Sequence, residues 1–75
     1  MIVPGLYYHY KHPDLRYRVL GVAKHSETEE DLVIYEALYD NPRSRLWARP
    51  ITMFLETVFV DGKETPRFTY IGPEK

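Results

Sequence analysis

His25, Ser26 and Glu27 are the residue types of a catalytic triad, and they begin an acidic stretch, HSETEEDLVIYEALYD, that covers residues 25–40. A working triad needs its three members to converge in space, whereas neighbours in an extended chain point to opposite faces. We therefore interpret most of the stretch as a solvated loop that leads into a strand. Two of its residues stay as candidates. His25 can titrate near neutral pH, and Glu27 is predicted to be held inward by an ion pair with Arg49.

Trp47 and Arg49 are a second candidate pair, because Trp and Arg are enriched in binding hot spots and residues two apart in a strand share a face. Arg49 precedes Pro50 and Arg67 follows a proline, so both guanidinium groups are held on extended segments. The alternative is that Trp47 plugs an open end of the fold and Arg49 neutralises the acidic loop. The predicted ligand-binding rim consists of His25, Glu27, Tyr35, Trp47, Arg49 and Arg67.

The composition indicates one small domain that covers residues 1–75. It has no cysteine, which excludes disulfides and Cys-based zinc sites, and its three histidines suggest no metal site. Seven Tyr, three Phe and one Trp predict an aromatic-rich core, and a homodimer is a reasonable further support for so short a chain. A net charge of −1 gives no global attraction for nucleic acid or anionic membranes. No stretch is apolar enough for a membrane span, and no signal peptide is visible, so we expect a cytoplasmic protein.

Period-2 patterns and turn residues predict a mostly β chain, a small bent antiparallel SH3-like barrel with one short helical turn. Pro50 suits the first position of a helical turn through ITMF, and Asp61-Gly62 predicts a type I′ hairpin turn. KHPDL at 11–15 is read as a turn, and a helix over 27–39 is the alternative to a hairpin there. The predicted strands are 6–10, 17–24, 32–39, 46–49, 56–60 and 67–71. The predicted core is Leu20, Val22, Leu32, Ile34, Leu38, Trp47, Met53, Phe54, Phe59 and Phe68.

Four motifs, GVAKHSET, LVIYEALY, LWARPITMF and PRF, give a more specific signal when they are taken together. With them, residues 5–71 resemble the short bacterial proteins of the domain-of-unknown-function family 1653. The HPDL segment at 12–15 is longer than the turn usual in that family. The resemblance implies a stand-alone cytoplasmic domain and brings no established activity with it.

The sequence therefore favours a binding module that recognises a peptide, a protein or a small ligand at the predicted rim. We expect no catalytic activity and no cofactor, because no nucleophile, base and oxyanion set converges and no glycine-rich phosphate cradle is visible. Two other classes stay open. One is a small enzyme that acts on a nucleotide-like metabolite with His25 and Glu27 as its acid/base pair. The other is a single-stranded nucleic-acid binder built on Tyr, Trp47 and Arg side chains, which is not favoured.

Overall fold

The computed structural model describes residues 2–73 as seven strands and one short helix. Strands are the main element, as predicted. The elements are β1 (Gly5–His9), β2 (His12–Lys24), β3 (Asp31–Ala37), β4 (Leu46–Pro50), α1 (Ile51–Phe54), β5 (Thr57–Val60), β6 (Lys63–Pro66) and β7 (Phe68–Gly72).

Five strands form one antiparallel sheet in the order β4-β3-β2-β1-β7, and β5 pairs only with β6. The mostly β, antiparallel architecture with one helical turn is thus confirmed. The sheet does not close into a complete barrel, because β4 and β7 are its two edges and do not pair with each other.

The five-stranded sheet is strongly bent. Between β3 and β7 lie two other strands, so their backbones would stand about 14 Å apart in a flat sheet. The ring centroids of Tyr35 on β3 and Phe68 on β7 are nevertheless only 5.7 Å apart. The bend therefore brings the inner faces of distant strands together around one aromatic core.

The second strand is longer than predicted. β2 begins at His12, which pairs with His9, so the HPDL segment belongs to the strand and only Tyr10 and Lys11 form the turn. The register with β3 shifts between Val19 and Gly21, an irregularity that is common where a glycine lies inside a strand.

The hairpin interpretation of the acidic stretch is correct, and the helix over 27–39 is wrong. Residues 31–37 form β3, whose burial alternates so that Val33, Tyr35 and Ala37 are buried. The loop before it closes on itself, since the His25 N–H donates to the Glu30 carbonyl at 2.9 Å and the Glu29 N–H donates to the His25 carbonyl at 2.8 Å.

The two predicted turns near the C-terminal half also form. α1 spans Ile51–Phe54, but Pro50 is its N-cap in an extended conformation (φ −52°, ψ 138°) and not its first helical residue. Asp61 and Gly62 both have positive φ (51° and 77°), as a type I′ turn requires. That turn joins β5 to β6, a strand that the sequence analysis did not separate from the last one.

The buried core consists of Tyr7, Val19, Val33, Tyr35, Ala37, Phe54 and Phe68. Of the predicted core residues, Phe54 and Phe68 are buried, and Trp47 packs against the cluster while partly exposed. Leu32 and Ile34 are half-buried. The exposed ones are Leu20, Val22, Leu38, Met53 and Phe59. The prediction failed for β2 and β3 because period-2 alternation identifies two faces without showing which one faces the core.

Candidate binding site

Phe68 lies at the centre of the aromatic core. Its ring stacks on Phe54 with centroids 4.2 Å apart and an interplanar angle of 2°. The rings of His9, Tyr17 and Tyr35 meet it edge-on at centroid distances of 5.0, 5.8 and 5.7 Å. Such pairs contribute about 0.5–1.5 kcal/mol each beyond their buried area. The ring thus fixes side chains from β1, β2 and β3 and from α1. We call His9, Tyr17, Tyr35, Phe54 and Phe68 the aromatic cluster.

The guanidinium group of Arg49 lies over this cluster. Its Cζ is 5.5 Å from the centroid of the Phe68 ring, within the range of a cation–π contact. Its Nε donates a hydrogen bond of 3.3 Å to the hydroxyl of Tyr35. Arg49 is half-buried, and it forms no ion pair with a carboxylate among residues 2–73. The structure therefore contains a positioned, partly desolvated cation without a counter-charge among these residues.

His9 also packs against the Phe68 ring. The centroid of its imidazole is 4.7 Å from the centroid of the Tyr10 ring. Burial lowers the pKa of His9 from 6.5 to about 4, and the positive charges of Arg49, Arg67, Lys11 and His12 act in the same direction. The imidazole is therefore neutral at pH 7. Its Nδ1 accepts a hydrogen bond from the Lys11 N–H at 3.2 Å, which leaves the proton on Nε2 as a donor.

Tyrosine hydroxyls lie beside the arginine. Tyr17 and Tyr39 share a hydrogen bond of 2.7 Å, and the amide of Asn41 donates to the Tyr39 hydroxyl at 3.4 Å. Burial, and then this bond to Tyr39, raise the pKa of Tyr17 above 10. Tyr17 is therefore a neutral hydrogen-bonding group at pH 7, and the formal charge that Arg49 brings to this region is positive.

Three of the predicted rim residues are brought together. Tyr35 and Trp47 are register partners on β3 and β4, and Arg49 follows two residues later on the same face. Trp47 packs against the core, and its indole N–H donates to the Ser44 carbonyl at 3.0 Å. Arg67 also lies near enough to act on the charge of His9, but its guanidinium contacts the Glu56 carboxylate at 2.6 Å.

The predicted ion pair between Glu27 and Arg49 is wrong. Glu27 is exposed, and it contacts no arginine among residues 2–73; its carboxylate accepts a hydrogen bond from the Ser26 hydroxyl at 3.2 Å. The Nδ1 of His25 accepts the N–H groups of Glu27 and Thr28 at 3.0 and 3.3 Å. Both candidates form their contacts within their own loop, His25 with backbone N–H groups and Glu27 with the Ser26 side chain. The structure gives neither of them a contact with Trp47, Arg49 or Arg67.

His9 and Phe68 were not predicted as neighbours of Arg49. His9 entered the prediction only as one of three histidines that suggest no metal site, and Phe68 only as a core residue. The available signal was the period of β1, which places His9 on the same face as the core residue Tyr7. What the sequence could not show is that the bend places the end of β1 next to β4.

The comparisons agree on one family. The model of the family "Protein of unknown function (DUF1653)" matches residues 5–70. A crystal structure of a protein belonging to DUF1653 from Bordetella bronchiseptica is similar over 99% of this chain and 92% of that one, with 35% identity and a TM-score of 0.88. No curated protein matches. No helix among residues 2–73 is long and apolar enough to cross a membrane. From the family match and the structural similarity together, the chain belongs to the DUF1653 family.

Proposed function

We propose that this domain is a binding module of the bacterial cytoplasm, and that it recognises an acidic segment of a peptide or protein at Arg49. The proposal depends on one observation, that the Arg49 side chain is held in place without a carboxylate partner. It is half-buried against the Phe68 ring and oriented by the Tyr35 hydroxyl, and it has no carboxylate partner among residues 2–73. A guanidinium that is held in place in this way loses little entropy on binding a carboxylate.

The donors around Arg49 suit a carboxylate. Because Nε is engaged by Tyr35, the two terminal nitrogens are left to form a bidentate pair with the two oxygens of one carboxyl group. The Nε2–H of the neutral His9 adds a further donor nearby. The half-buried Trp47, on the face of Arg49, offers apolar surface for the side chains that flank an acidic residue.

The charge of the whole chain favours a peptide over a nucleic acid. A polyanion is attracted by an extended basic surface, whereas this chain has a net charge of −1 and the exposed residues 26–30 of its loop include three glutamates. The enzyme alternative has less support, since His25 and Glu27 hydrogen-bond within their own loop.

The test is a panel of short synthetic peptides with internal Asp or Glu, or with a free or an amidated C-terminus, screened by thermal shift and then by calorimetry. We expect acidic peptides to bind, and Arg49→Gln to weaken binding at least about thirtyfold, since loss of one partner of a buried charge pair costs about 2–5 kcal/mol. Arg45→Gln is the matched control, because Arg45 directly precedes the same strand, β4, but is exposed and pairs with Glu36 at 3.3 Å.

Two outcomes would contradict the proposal. One is acidic-peptide binding that Arg49→Gln and Arg45→Gln weaken equally, which would place the contact elsewhere. The other is binding of single-stranded RNA, but of no peptide, with an affinity that falls steeply as salt rises. That result would favour the nucleic-acid alternative.

A further inference from the structure

The outer edge of β4 has a distinctive pattern of backbone groups. The Ala37 N–H donates to the Arg45 carbonyl at 2.8 Å, and the register from Leu32–Pro50 to Glu36–Leu46 is unbroken. Bonded and non-bonded pairs alternate along an antiparallel ladder. The backbone groups of Trp47 and Arg49 therefore face β3, and those of Leu46, Ala48 and Pro50 face away from the sheet.

Some of these outward groups are already used. The Ser44 hydroxyl donates to the Leu46 carbonyl at 2.8 Å. Pro50 has no N–H, and as N-cap its carbonyl accepts the first bond of α1. Three outward-facing backbone groups have no hydrogen-bond partner among residues 2–73. They are the N–H of Leu46 and the N–H and carbonyl of Ala48. An edge of this kind is a template for another strand.

We propose that β4 pairs with the β4 of a second copy of this chain, antiparallel and centred on Ala48, so that the two sheets become one. In this register the two Ala48 residues exchange both backbone bonds, and each Leu46 N–H meets the second lone pair of the opposite Pro50 carbonyl. Pro50 has no N–H to offer the Leu46 carbonyl of the opposite chain. That carbonyl does not need one, because it already accepts a hydrogen bond from the Ser44 hydroxyl of its own chain. The edge is thus complementary to itself, as a two-fold interface requires.

The side chains favour the register centred on Ala48 over the register centred on Trp47. Centring on Ala48 places Trp47 opposite Arg49 of the second copy on the inner face, twice by symmetry, which is a favourable cation–π arrangement. Centring on Trp47 would place Arg45 opposite Arg49 of the second copy, and like charges directly opposite are destabilising. On the outer face, the preferred register joins Leu46, which is 50% exposed, to Pro50 of the second copy.

The pairing has a consequence for the proposed peptide site, although it does not rest on it. The second copy would bring its Trp47 beside Arg49, so each site would contain residues from both chains. The two inferences are separable, since a monomeric variant with Arg49 intact can still be assayed for peptide binding.

Single cysteines test the register directly, because the chain contains none of its own. Bonded antiparallel partners have Cα atoms about 5.5 Å apart, within the range of a disulfide. We expect Ala48→Cys to cross-link two chains under mild oxidation at least about tenfold faster than Ala23→Cys, since pairing raises the effective concentration. Ala23 is an exposed alanine on the interior strand β2 and serves as the matched control.

Sedimentation equilibrium of the unmodified chain gives an independent measurement. We expect a dimer that Ala48→Pro converts to a monomer with an unchanged circular dichroism spectrum, because this substitution removes an N–H that faces away from the sheet. Ala48→Ser keeps the N–H and should stay dimeric. Equal cross-linking rates, a chain that is monomeric at about 1 mM, or a dimer that a folded Ala48→Pro variant leaves intact would each overturn the proposal.

Discussion

The pKa of His9 reflects the burial and the positive charges of the candidate site. Burial, with the charges of Arg49, Arg67, Lys11 and His12, lowers its pKa in the folded state to about 4, against about 6.5 for a histidine in the unfolded chain. As pH falls, the unfolded chain therefore takes up the proton first. The stability associated with the neutral His9 is fully present above pH 6.5 and is lost progressively between pH 6.5 and about 4.

We expect this loss to reach about 2 kcal/mol by pH 4.5, a value discounted for the part of the ring that water reaches. Urea unfolding of the wild-type chain and of His9→Gln, measured between pH 7.5 and 4.5, isolates the effect, because the carboxylates titrate in both. His12→Gln is the control at an exposed position of the same hairpin. If His9→Gln loses stability on acidification as steeply as the wild-type chain, the loss does not come from the titration of His9.

For single residues, the sequence predicts side-chain neighbours correctly where they lie on the same strand or on paired strands. It does not predict them where a loop lies between. Trp47 and Arg49 were placed together with Tyr35 because alternation along β4 and pairing with β3 are local rules. The Glu27 contact required the path of a six-residue loop, and the backbone bonds inside that loop turn the carboxylate outward instead. The neighbours that matter, His9 and Phe68, come from elements far away in the sequence.

Among the elements, the contact between β1 and β7 depends on one glycine. Gly5 has φ +139°, and a Cβ atom built on it would lie 2.7 Å from the carbonyl oxygen of Gly72. We expect Gly5→Ala to lower the free energy of unfolding by about 2 kcal/mol or more, through backbone strain and the clash together. Chemical denaturation measures this change, with Gly72→Ala as the control, because a Cβ there meets no atom within 4 Å. Equal stability of the two variants would contradict the role assigned to Gly5.

The same elements show which features of a strand can be predicted. Turn chemistry placed the Asp61-Gly62 hairpin and the helical turn after Pro50 correctly, because those residues restrict φ and hydrogen bonding on their own. The length of β2 was underestimated, since Pro13 was taken as part of a turn although its ring tolerates an extended strand. The buried face of β2 and β3 was assigned wrongly, because Leu20 and Val22 are as apolar as Val19 and only the bend decides which of them packs inward.

For the whole molecule, the β5–β6 hairpin is a separate unit. It pairs with neither edge of the five-stranded sheet, and Phe59 on it is 73% exposed. The radius of gyration of 12.6 Å exceeds the roughly 11 Å usual for 75 residues, and the longest dimension is 38 Å against 26 and 25 Å. The hairpin is held at its base by Arg67, whose N–H donates to the Glu56 carbonyl at 2.9 Å beside the ion pair of the same residues.

Local stability should follow this division. A unit with few buried side chains opens without unfolding the rest, so amides of β5 and β6 should exchange with deuterium through openings at least about 2 kcal/mol easier than those of Val33 and Tyr35. Native-state exchange followed by NMR measures both sets in one sample. Arg67→Gln should lower the hairpin values further and leave the β3 values nearly unchanged, because it removes only the ion pair at the base. If the Phe59 amide opens at the same free energy as that of Val33, the hairpin and the sheet form one cooperative unit, and the separation inferred from their packing does not hold.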